Sequence, residues 1–269
     1  MLAPEIEAYY SRWQESSRLS EQEGELERVR TQEILARSLP AAPAEVYDIG
    51  GAAGVHAFWL AERGYRVHLI DPVERHIAQA READSGSRLA SISIGDAREL
   101  RFADRSADAV LLLGPLYHLQ DRAERLQALG EARRALKPGG VIVAAAISRF
   151  TSLMDGFATG AFADPQFRGI VAADLASGEH RNPSSHLPYF TTAYFHRPEE
   201  LAEEVRASGF GETRLCAIEG PVWTAPGFRK AWADEEQRAR LVEFLRQIES
   251  EPSIVGASAH FLAIGRVID

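Results

Sequence analysis

The chain has 269 residues, 45% of them hydrophobic, which is enough to bury the core of one large α/β domain or of one domain with an insertion. Its single cysteine, Cys216, excludes internal disulfides and cysteine-ligated metal or iron–sulfur clusters. The net charge of −9 disfavours nucleic acid as a partner, and because we find neither an apolar leader nor a bilayer-spanning apolar run, we expect a cytoplasmic protein with no membrane attachment.

The start of the chain predicts helices followed by a strand–turn–helix–strand unit. Residues 1–39 are polar, with apolar side chains at helical spacing. Residues 44–49 form a short apolar run typical of a buried strand, and residues 55–63 have helical spacing that ends at Gly64, a common residue after a helix. Residues 66–70 supply a second strand, so this segment predicts a βαβ unit.

The turn of this unit reads Asp48-Ile49-Gly50-Gly51-Ala52-Ala53-Gly54. Its glycines allow a tight turn and a close backbone approach to a ligand, and the following helix offers free N–H groups. Asp71 ends the second strand, where an acid in this architecture hydrogen-bonds a ribose. The glycines fit no register of Gly-x-Gly-x-x-Gly, which disfavours a dinucleotide. The turn therefore predicts a nucleoside cofactor site, with an ordinary glycine-rich turn as the alternative.

Two further strands lead into candidate residues. Residues 89–94 alternate like a strand and end in Gly95-Asp96-Ala97. Residues 109–113 form a continuous apolar run, typical of a parallel strand covered on both faces, and open into Gly114-Pro115-Leu116-Tyr117-His118. Both segments place polar residues directly after a predicted strand.

Helices and strands alternate through the rest of the chain. One helix starts at the capping residue Asp121 and stops at Lys137-Pro138-Gly139-Gly140. Another starts at Pro198 and ends at Gly209. The remaining predicted elements are three strands and one helix, at residues 141–146, 212–218 and 260–267 and at residues 238–248.

These segments resemble the class I S-adenosylmethionine (SAM)-dependent methyltransferases. Motif I of that family runs acid-x-Gly-x-Gly-x-Gly, matched by Asp48, Gly50 and Gly54, with Ala52 in place of the middle glycine. Gly-Asp-Ala after the third strand and Leu-Lys-Pro-Gly-Gly before the fifth are also features of the family. Alanine fits this position if its φ is negative, but its methyl group narrows the approach of the backbone to the cofactor. The motifs cover residues 44–148.

The resemblance implies a Rossmann-like, doubly wound α/β fold with a mainly parallel seven-stranded sheet whose last strand is antiparallel. N-terminal helices and a helical insertion add to this core. The predicted parts are an N-terminal helical cap, a SAM-binding core, a substrate lid and the C-terminal part of the core, at residues 1–39, 40–148, 149–197 and 198–269.

The resemblance also implies SAM as cofactor and S-adenosylhomocysteine as product. The acid at Asp96 is expected to accept a hydrogen bond from the adenine amino group, and N-terminal helices of this family often cover the cofactor. The predicted cofactor-binding residues are Tyr10, Arg18, Asp48, Gly50, Gly51, Ala52, Gly54, Asp71, Pro72, Asp96, Ala97, Leu113, Gly114, Pro115 and His118. For Tyr10 and Arg18, helix packing and solvated charge are the alternatives.

The insertion is predicted to contact the substrate. Residues 149–195 are far longer than a connection needs, are rich in aromatic side chains, and lie beside the carboxyl ends of strands four and five. The predicted substrate-binding residues are Tyr117, Phe150, Met154, His186, Tyr189 and Phe190. A small helical subdomain with its own aromatic core is the alternative. We predict no metal site, because the spacing of His180, His186 and His196 fits no compact ligand motif.

His118 is the candidate general base, because it follows the fourth strand and histidine titrates near working pH. Packing against cofactor or substrate is the alternative, and Tyr117 is a second candidate as an orienting hydroxyl. Nucleic-acid amino-methyltransferases carry an acid, an amide or a serine before Pro-Pro-aromatic here, which Gly114-Pro115-Leu116-Tyr117 lacks.

The predicted function is methyl transfer from SAM to an oxygen or nitrogen of a small-molecule metabolite, by a monomer or homodimer. Two alternatives stay open. One is an RNA or protein methyltransferase, and the other is a non-catalytic SAM-binding partner protein.

Overall fold

The computed structural model describes residues 3–12, 19, 22–182 and 189–268. The strands of these residues are β1 (Glu45–Ile49), β2 (Arg66–Asp71), β3 (Ser91–Ile94), β4 (Ala107–Leu112), β5 (Leu136–Ile147), β6 (Glu179–His180), β7 (Ala193–Tyr194), β8 (Arg214–Ala217) and β9 (His260–Arg266). Strands β6 and β7 pair as a separate two-stranded hairpin, and the other seven form one sheet.

The order of the sheet is β3-β2-β1-β4-β5-β9-β8. Strands β1 to β5 pair in parallel, whereas β9 runs antiparallel to both β5 and β8. The predicted Rossmann-like fold, with its antiparallel last strand, is confirmed. The chain reverses its direction of winding between β1 and β4, and ligands of open α/β sheets bind at the carboxyl edge beside such a point.

Helices cover both faces of the sheet. They are α1 (Pro4–Arg12), α2 (Gln22–Ser38), α3 (Val55–Ala61), α4 (Glu74–Ala83), α5 (Pro115–His118), α6 (Arg122–Ala135), α7 (Thr151–Thr159), α8 (Pro165–Ser177), α9 (Pro198–Ala207), α10 (Phe228–Ala233), α11 (Glu235–Ile248) and α12 (Pro252–Val255), with 3₁₀ turns at Ala161–Ala163 and Gly220–Thr224. Alternate residues of the strands face the two layers. In β4, Val110 and Leu112 pack with α6 and α9, while Ala109 and Leu111 pack with α2 and α3.

Local signals explain several boundaries. Gly64 and Gly209 both adopt φ of +86° just after a helix, and the Asp121 carboxylate caps α6 by accepting from the Ala123 amide. The fifth strand begins at Leu136, earlier than predicted, because the Lys-Pro-Gly-Gly segment lies within it. There β4 and β5 change register between Ala107 and Ala109.

Helix α2 is joined to the end of α11 by a buried ion pair and to the residue after β8 by a hydrogen bond. The fully buried Arg30 donates from Nη2 to Glu249 Oε2 at 2.6 Å and from Nε to the Ile218 carbonyl at 3.3 Å. Arg37 donates to both oxygens of the same carboxylate. The helix is therefore part of the packed core of the fold.

The insertion after β5 has a small core of its own in its described part. Phe167, Ile170 and Val171 of α8 are buried. The buried Asp174 accepts from Ser152 Oγ and from His180 Nδ1, which joins the two helices to the hairpin. In the portion of the chain that the structure covers, we find no helix long and apolar enough to cross a membrane.

Candidate cofactor and acceptor site

A cavity of about 410 Å³ opens at the carboxyl edge of the sheet. Its wall combines the loops after β1, β2, β3 and β4 with residues of α1 and α2 and the start of β9. The predicted residues that line it are Tyr10, Asp48, Gly50, Gly51, Ala52, Asp71, Pro72, Asp96, Ala97, Leu113, Gly114, Pro115, Tyr117 and His118. The fold thus brings together, around one cavity, loops that were predicted from separate segments of the sequence.

The glycine loop is shaped by its neighbours on the wall. Gly50 has φ of +71°, and a Cβ added there would lie 2.6 Å from Pro115 Cγ. Only glycine fits this close approach of the two loops. Gly54 has φ of +90° and precedes α3, and it does not line the cavity.

Ala52 adopts φ of +50°, so the condition under which alanine fits this position without strain is not met. Its N–H donates to Asp71 Oδ2 at 2.9 Å, and this bond holds the turn in the left-handed region. For a residue with a Cβ, that conformation costs roughly 1 to 2 kcal/mol. The substitution of the family's glycine is therefore strained in this chain.

Asp48 is a buried carboxylate whose two oxygens accept no hydrogen bond within the described part of the chain. Burial, and then the charge of Asp71, raise its pKa to about 7. An unsatisfied buried acceptor costs free energy unless a ligand donates to it. Asp48 is thus an acceptor at the base of the cavity.

Asp71 is held by three donors. Oδ2 accepts from the Ala52 amide, while Oδ1 accepts from the Val73 amide at 2.9 Å and from His76 Nδ1 at 3.0 Å. Because a carboxylate only accepts, His76 has its proton on Nδ1 and its lone pair on Nε2. That Nε2 is buried on the cavity wall and has no hydrogen-bond partner among the described residues. His76 was not among the predicted residues, and its position five residues after Asp71 was the available signal.

Asp96 lies on the wall in a bidentate pair with Arg98. Arg98 donates from Nε to Oδ1 at 2.9 Å and from Nη2 to Oδ2 at 2.6 Å, and also contacts Glu124. This hydrogen-bonded partner lowers the pKa of Asp96, so the acid stays ionised. A carboxylate has about four acceptor positions, and a ligand amino group can still donate to it.

His118 is engaged on both ring nitrogens. Nε2 lies 2.8 Å from the Tyr10 hydroxyl, and Nδ1 lies 3.4 Å from the Thr192 carbonyl. Because the carbonyl only accepts, Nδ1 carries the proton and Nε2 accepts from Tyr10. Burial lowers the pKa of His118 to about 4. These contacts favour the packing role for His118 over proton transfer.

The predicted substrate residues divide into three groups. Tyr117 lines the cavity, and Phe190 packs beside it, with its ring centroid 5.9 Å from that of His118. The Tyr189 hydroxyl lies away from the cavity and donates to Asp164 at 2.8 Å. Phe150 and Met154 line a second cleft between α7, α9 and α12. His186 lies outside the described residues, as does Arg18 of the predicted cofactor-binding residues.

Phe150 and Met154 were misplaced for a physical reason. The chain leaves β5 at the carboxyl edge and turns at once into α7, whose apolar side chains pack toward Pro198 and Val255. We therefore remove Phe150 and Met154 from the candidate substrate residues.

The end of the cavity at β9 carries residues that the sequence analysis did not consider. Glu27, Thr31, Ile218 and His260 line it, and Glu219 lies behind His260. One ligand atom from each of Glu27, Glu219 and His260 falls within 4.8 Å of the others. No sequence motif predicts this group, because its members are distant in sequence. His180 and His196 are buried in separate pairs with Asp174 and Glu204.

Comparison with known proteins identifies a methyltransferase domain. Residues 47–144 match the family model described as a methyltransferase domain. The crystal structure of a SAM-dependent methyltransferase from Thermotoga maritima, described as a possible histamine N-methyltransferase, aligns with a TM-score of 0.58 over 97% of both chains at 19% identity. The structure of the CcbJ methyltransferase from Streptomyces caelestis aligns with a TM-score of 0.57 over 98% of this chain and 97% of its own at 16% identity. Residues 47–144 therefore form a methyltransferase domain, and the chain has the fold of SAM-dependent methyltransferases.

Relatives within the family are similar over part of their length. An uncharacterized methyltransferase of Mycobacterium tuberculosis is 35% identical over 102 residues, which are 38% of this chain and 39% of that protein. The ubiquinone/menaquinone biosynthesis C-methyltransferase of Paracoccus denitrificans is 30% identical over 178 residues, 62% of this chain and 66% of that protein. The chain thus spans less than two thirds of the length of these relatives.

Proposed function

We propose that the protein transfers the methyl group of SAM to an oxygen or nitrogen of a small molecule. The observation that carries this proposal is one continuous cavity, which joins the residues of the cofactor motifs to a separate wall at β9. A methyltransferase must hold two ligands in one space, and this cavity provides a distinct surface for each.

Several unsatisfied or accessible acceptors fit SAM. In this proposal, Asp71 and Nε2 of His76 accept from the ribose hydroxyls, and Asp96 accepts from the adenine amino group. The buried carboxylate of Asp48 accepts from the ammonium group of the methionine part, beside the backbone of Gly50. SAM itself supplies an electrophilic methyl group on a sulfonium sulfur.

The protein's own contribution is to align the acceptor and exclude water. The cap meets the insertion where the Thr191 hydroxyl donates to the Glu5 carbonyl, and it meets the core at the cavity wall where Tyr10 donates to His118. We propose that these contacts close the site after both ligands have entered. In the proposed role, His118 and Tyr10 form a neutral wall rather than an acid–base pair.

The charge on the wall favours a small molecule over RNA. Six carboxylates and two arginines line the described cavity, namely Glu5, Glu27, Asp48, Asp71, Asp96, Glu124, Arg98 and Arg181. A nucleic-acid phosphate would be repelled by this excess of negative charge. We propose a cytoplasmic monomer or homodimer that acts on a metabolite.

Two measurements test this proposal. Calorimetry should show binding of SAM and S-adenosylhomocysteine, and NAD should not compete. Incubation with deuterated-methyl SAM and a metabolite extract should then label a small product on oxygen or nitrogen, detected by mass spectrometry. Tighter binding of NAD, or labelling of RNA or protein instead, would overturn the proposal. Labelling on carbon would contradict the proposed acceptor atom, and binding with no transfer would favour the non-catalytic alternative.

A further inference from the structure

The cavity wall carries one side-chain amide that the described residues leave without hydrogen bonds. Gln120 follows α5 and lines the cavity, and both atoms of its carboxamide, Oε1 and Nε2, are buried without a partner in the described part of the chain. Its backbone carbonyl, in contrast, accepts from Arg125 Nη1 at 2.8 Å, which fixes the main chain at this point. A buried donor and a buried acceptor without partners cost free energy, and a ligand with a matching pair of groups recovers it.

Contacts of helix α6 connect the segment of Gln120 with the loop that follows β3. Glu124, four residues after Gln120, accepts from Arg98 Nη1, and Arg98 pairs in turn with Asp96. Gln127 of the same helix donates from Nε2 to the Arg98 carbonyl at 2.9 Å. Asp96, Arg98, Gln120 and Glu124 all line the cavity. Gln120 is therefore on the side of the cavity where the proposed function puts the adenine of SAM.

Adenine needs a donor from the protein as well as an acceptor. Its 6-amino group donates, while the ring nitrogens near that group accept. The proposed function assigns four side-chain acceptors to SAM, namely Asp48, Asp71, His76 and Asp96. These acceptors leave the ring nitrogens of the base without a side-chain donor. A carboxamide has an acceptor and a donor side by side, the pattern that pairs with the edge of adenine.

Three other donors on the cavity wall are already paired with the protein. Arg98 donates to Asp96 and Glu124, and Arg181 pairs with Glu179. The Tyr10 hydroxyl donates to His118. Each of these groups would have to give up or share a contact in order to bind a base. The amide of Gln120 meets a ligand without such a loss, because neither of its atoms has a partner among the described residues.

We propose that Gln120 determines the specificity of the site for adenine. Its Oε1 accepts one hydrogen of the 6-amino group, and its Nε2 donates to a neighbouring ring nitrogen, while Asp96 accepts the second hydrogen of the amino group. A base with oxygen at position 6 would place an acceptor against the Asp96 carboxylate and is rejected. This inference rests on the proposed function, because it assumes that the cavity holds SAM.

The test begins with the affinity of the full chain for S-adenosylhomocysteine, measured by calorimetry. Gln120→Met keeps a side chain of similar length and removes both hydrogen bonds, so the Kd should rise about tenfold or more. Without ligand, the same variant should unfold at a higher urea concentration than the wild type, because it no longer buries an unsatisfied amide. Gln237→Met is the matched control and should change neither value, since Gln237 is exposed on α11 and does not line the cavity.

A second probe is the analogue of S-adenosylhomocysteine in which purine replaces adenine, so that the 6-amino group is absent. Gln120→Met should cost about fivefold less affinity for this analogue than for S-adenosylhomocysteine, because the wild type has already lost one of the two hydrogen bonds. Gln120→Glu keeps the shape and the acceptor but cannot donate, so its affinity for S-adenosylhomocysteine should fall by about fivefold or more. The Gln120→Glu variant decides the question if Gln120→Met does not fold.

Three results would overturn the inference. The first is wild-type affinity for S-adenosylhomocysteine in either variant of Gln120. The second is an equal loss of affinity for S-adenosylhomocysteine and for the purine analogue, which would mean that Gln120 acts through packing. The third is a Gln120→Met protein that is both less stable in urea and weaker in binding, which would make Gln120 a structural residue. A wild-type protein that fails to bind S-adenosylhomocysteine would instead refute the proposed function, so the two failures are distinguishable.

Discussion

The two ends of the cavity are built in different ways. At the glycine-loop end, Asp48, the glycine loop and Asp71 lie within one βαβ unit, and several contacts run through backbone amides. At the β9 end, the side chains of Glu27, Glu219 and His260 come together from distant parts of the chain. A cofactor that all members of a family share can be bound by a local motif that uses mainly backbone groups. An acceptor that differs between members is better bound by side chains, because substitutions change them.

The ends also differ in how their acceptors are satisfied. Glu219 has a donor for each oxygen, while Asp48 and Nε2 of His76 have none among the described residues. An unsatisfied buried acceptor destabilises the free protein and is relieved by a ligand. We therefore expect substitutions at the glycine-loop end to raise stability while lowering SAM affinity more often than substitutions at β9 do.

The largest effect is expected for Asp48→Asn. Because the pKa of Asp48 rises from an ordinary value of 3.8 to about 7 on folding, the unfolded chain loses this proton first, and the native protein loses stability as pH rises from about 4 to 7. Removing the charge should raise the free energy of unfolding at pH 8 by up to about 4 kcal/mol and weaken SAM binding.

Urea unfolding at pH 4 and pH 8 measures this change. The exposed Asp104→Asn is the control, and it should leave the pH dependence intact. An Asp48→Asn protein that keeps the pH dependence of the wild type would show that Asp48 is already ionised in the native state.

Asp71→Ala tests whether the two ends of the cavity bind different ligands. Loss of the proposed ribose acceptor should reduce SAM affinity by about ten- to a hundredfold, equivalent to roughly 1.5 to 3 kcal/mol. Calorimetry measures it, with Glu27→Gln as the comparison from the β9 end. If both variants lost cofactor affinity equally, the two ends would not be separate sites. Wild-type affinity in Asp71→Ala would remove Asp71 as the ribose ligand.

His76→Leu should weaken binding of S-adenosylhomocysteine by about five- to tenfold, roughly 1 kcal/mol, because Nε2 no longer accepts from the ribose. The 2′-deoxy and 3′-deoxy analogues of S-adenosylhomocysteine identify which ribose hydroxyl donates to Nε2. The analogue that lacks this hydroxyl should bind the wild type and the variant with equal affinity. If both analogues still distinguished the two proteins, His76 would act through packing.

The smallest effect is expected for Ala52→Gly. Glycine removes the cost of the left-handed conformation but also increases the entropy of the unfolded chain, so the net gain in stability should be about 0.5 to 1 kcal/mol. Equilibrium urea unfolding measures it. A less stable variant would mean that Ala52 is not strained in the native turn.

Sequence reasoning succeeded where structure is local. The glycine turn, the acids after the strands and the caps at Asp121 and Gly209 depend on neighbours in the chain, so the sheet and most of the loop residues that line the cavity were predictable. It could not give the φ of Ala52, whose N–H donates to Asp71 on the next strand. Glu27 and His260 were missed because tertiary packing alone brings them together.

The buried pair between Arg30 and Glu249 sets the rotation of helix α2 as well as its position. Glu27 and Thr31 lie one turn apart and both face the cavity, while Arg30 reaches its carboxylate from the turn between them. A slip of one residue would turn each side chain by about 100°, which would carry Glu27 off the wall and withdraw Arg30 from Glu249. New acceptor preferences should therefore evolve by substitution of the side chains at positions 27 and 31, while the rotation of α2 about its axis stays the same. Insertions and deletions should instead occur in the chain before Gln22.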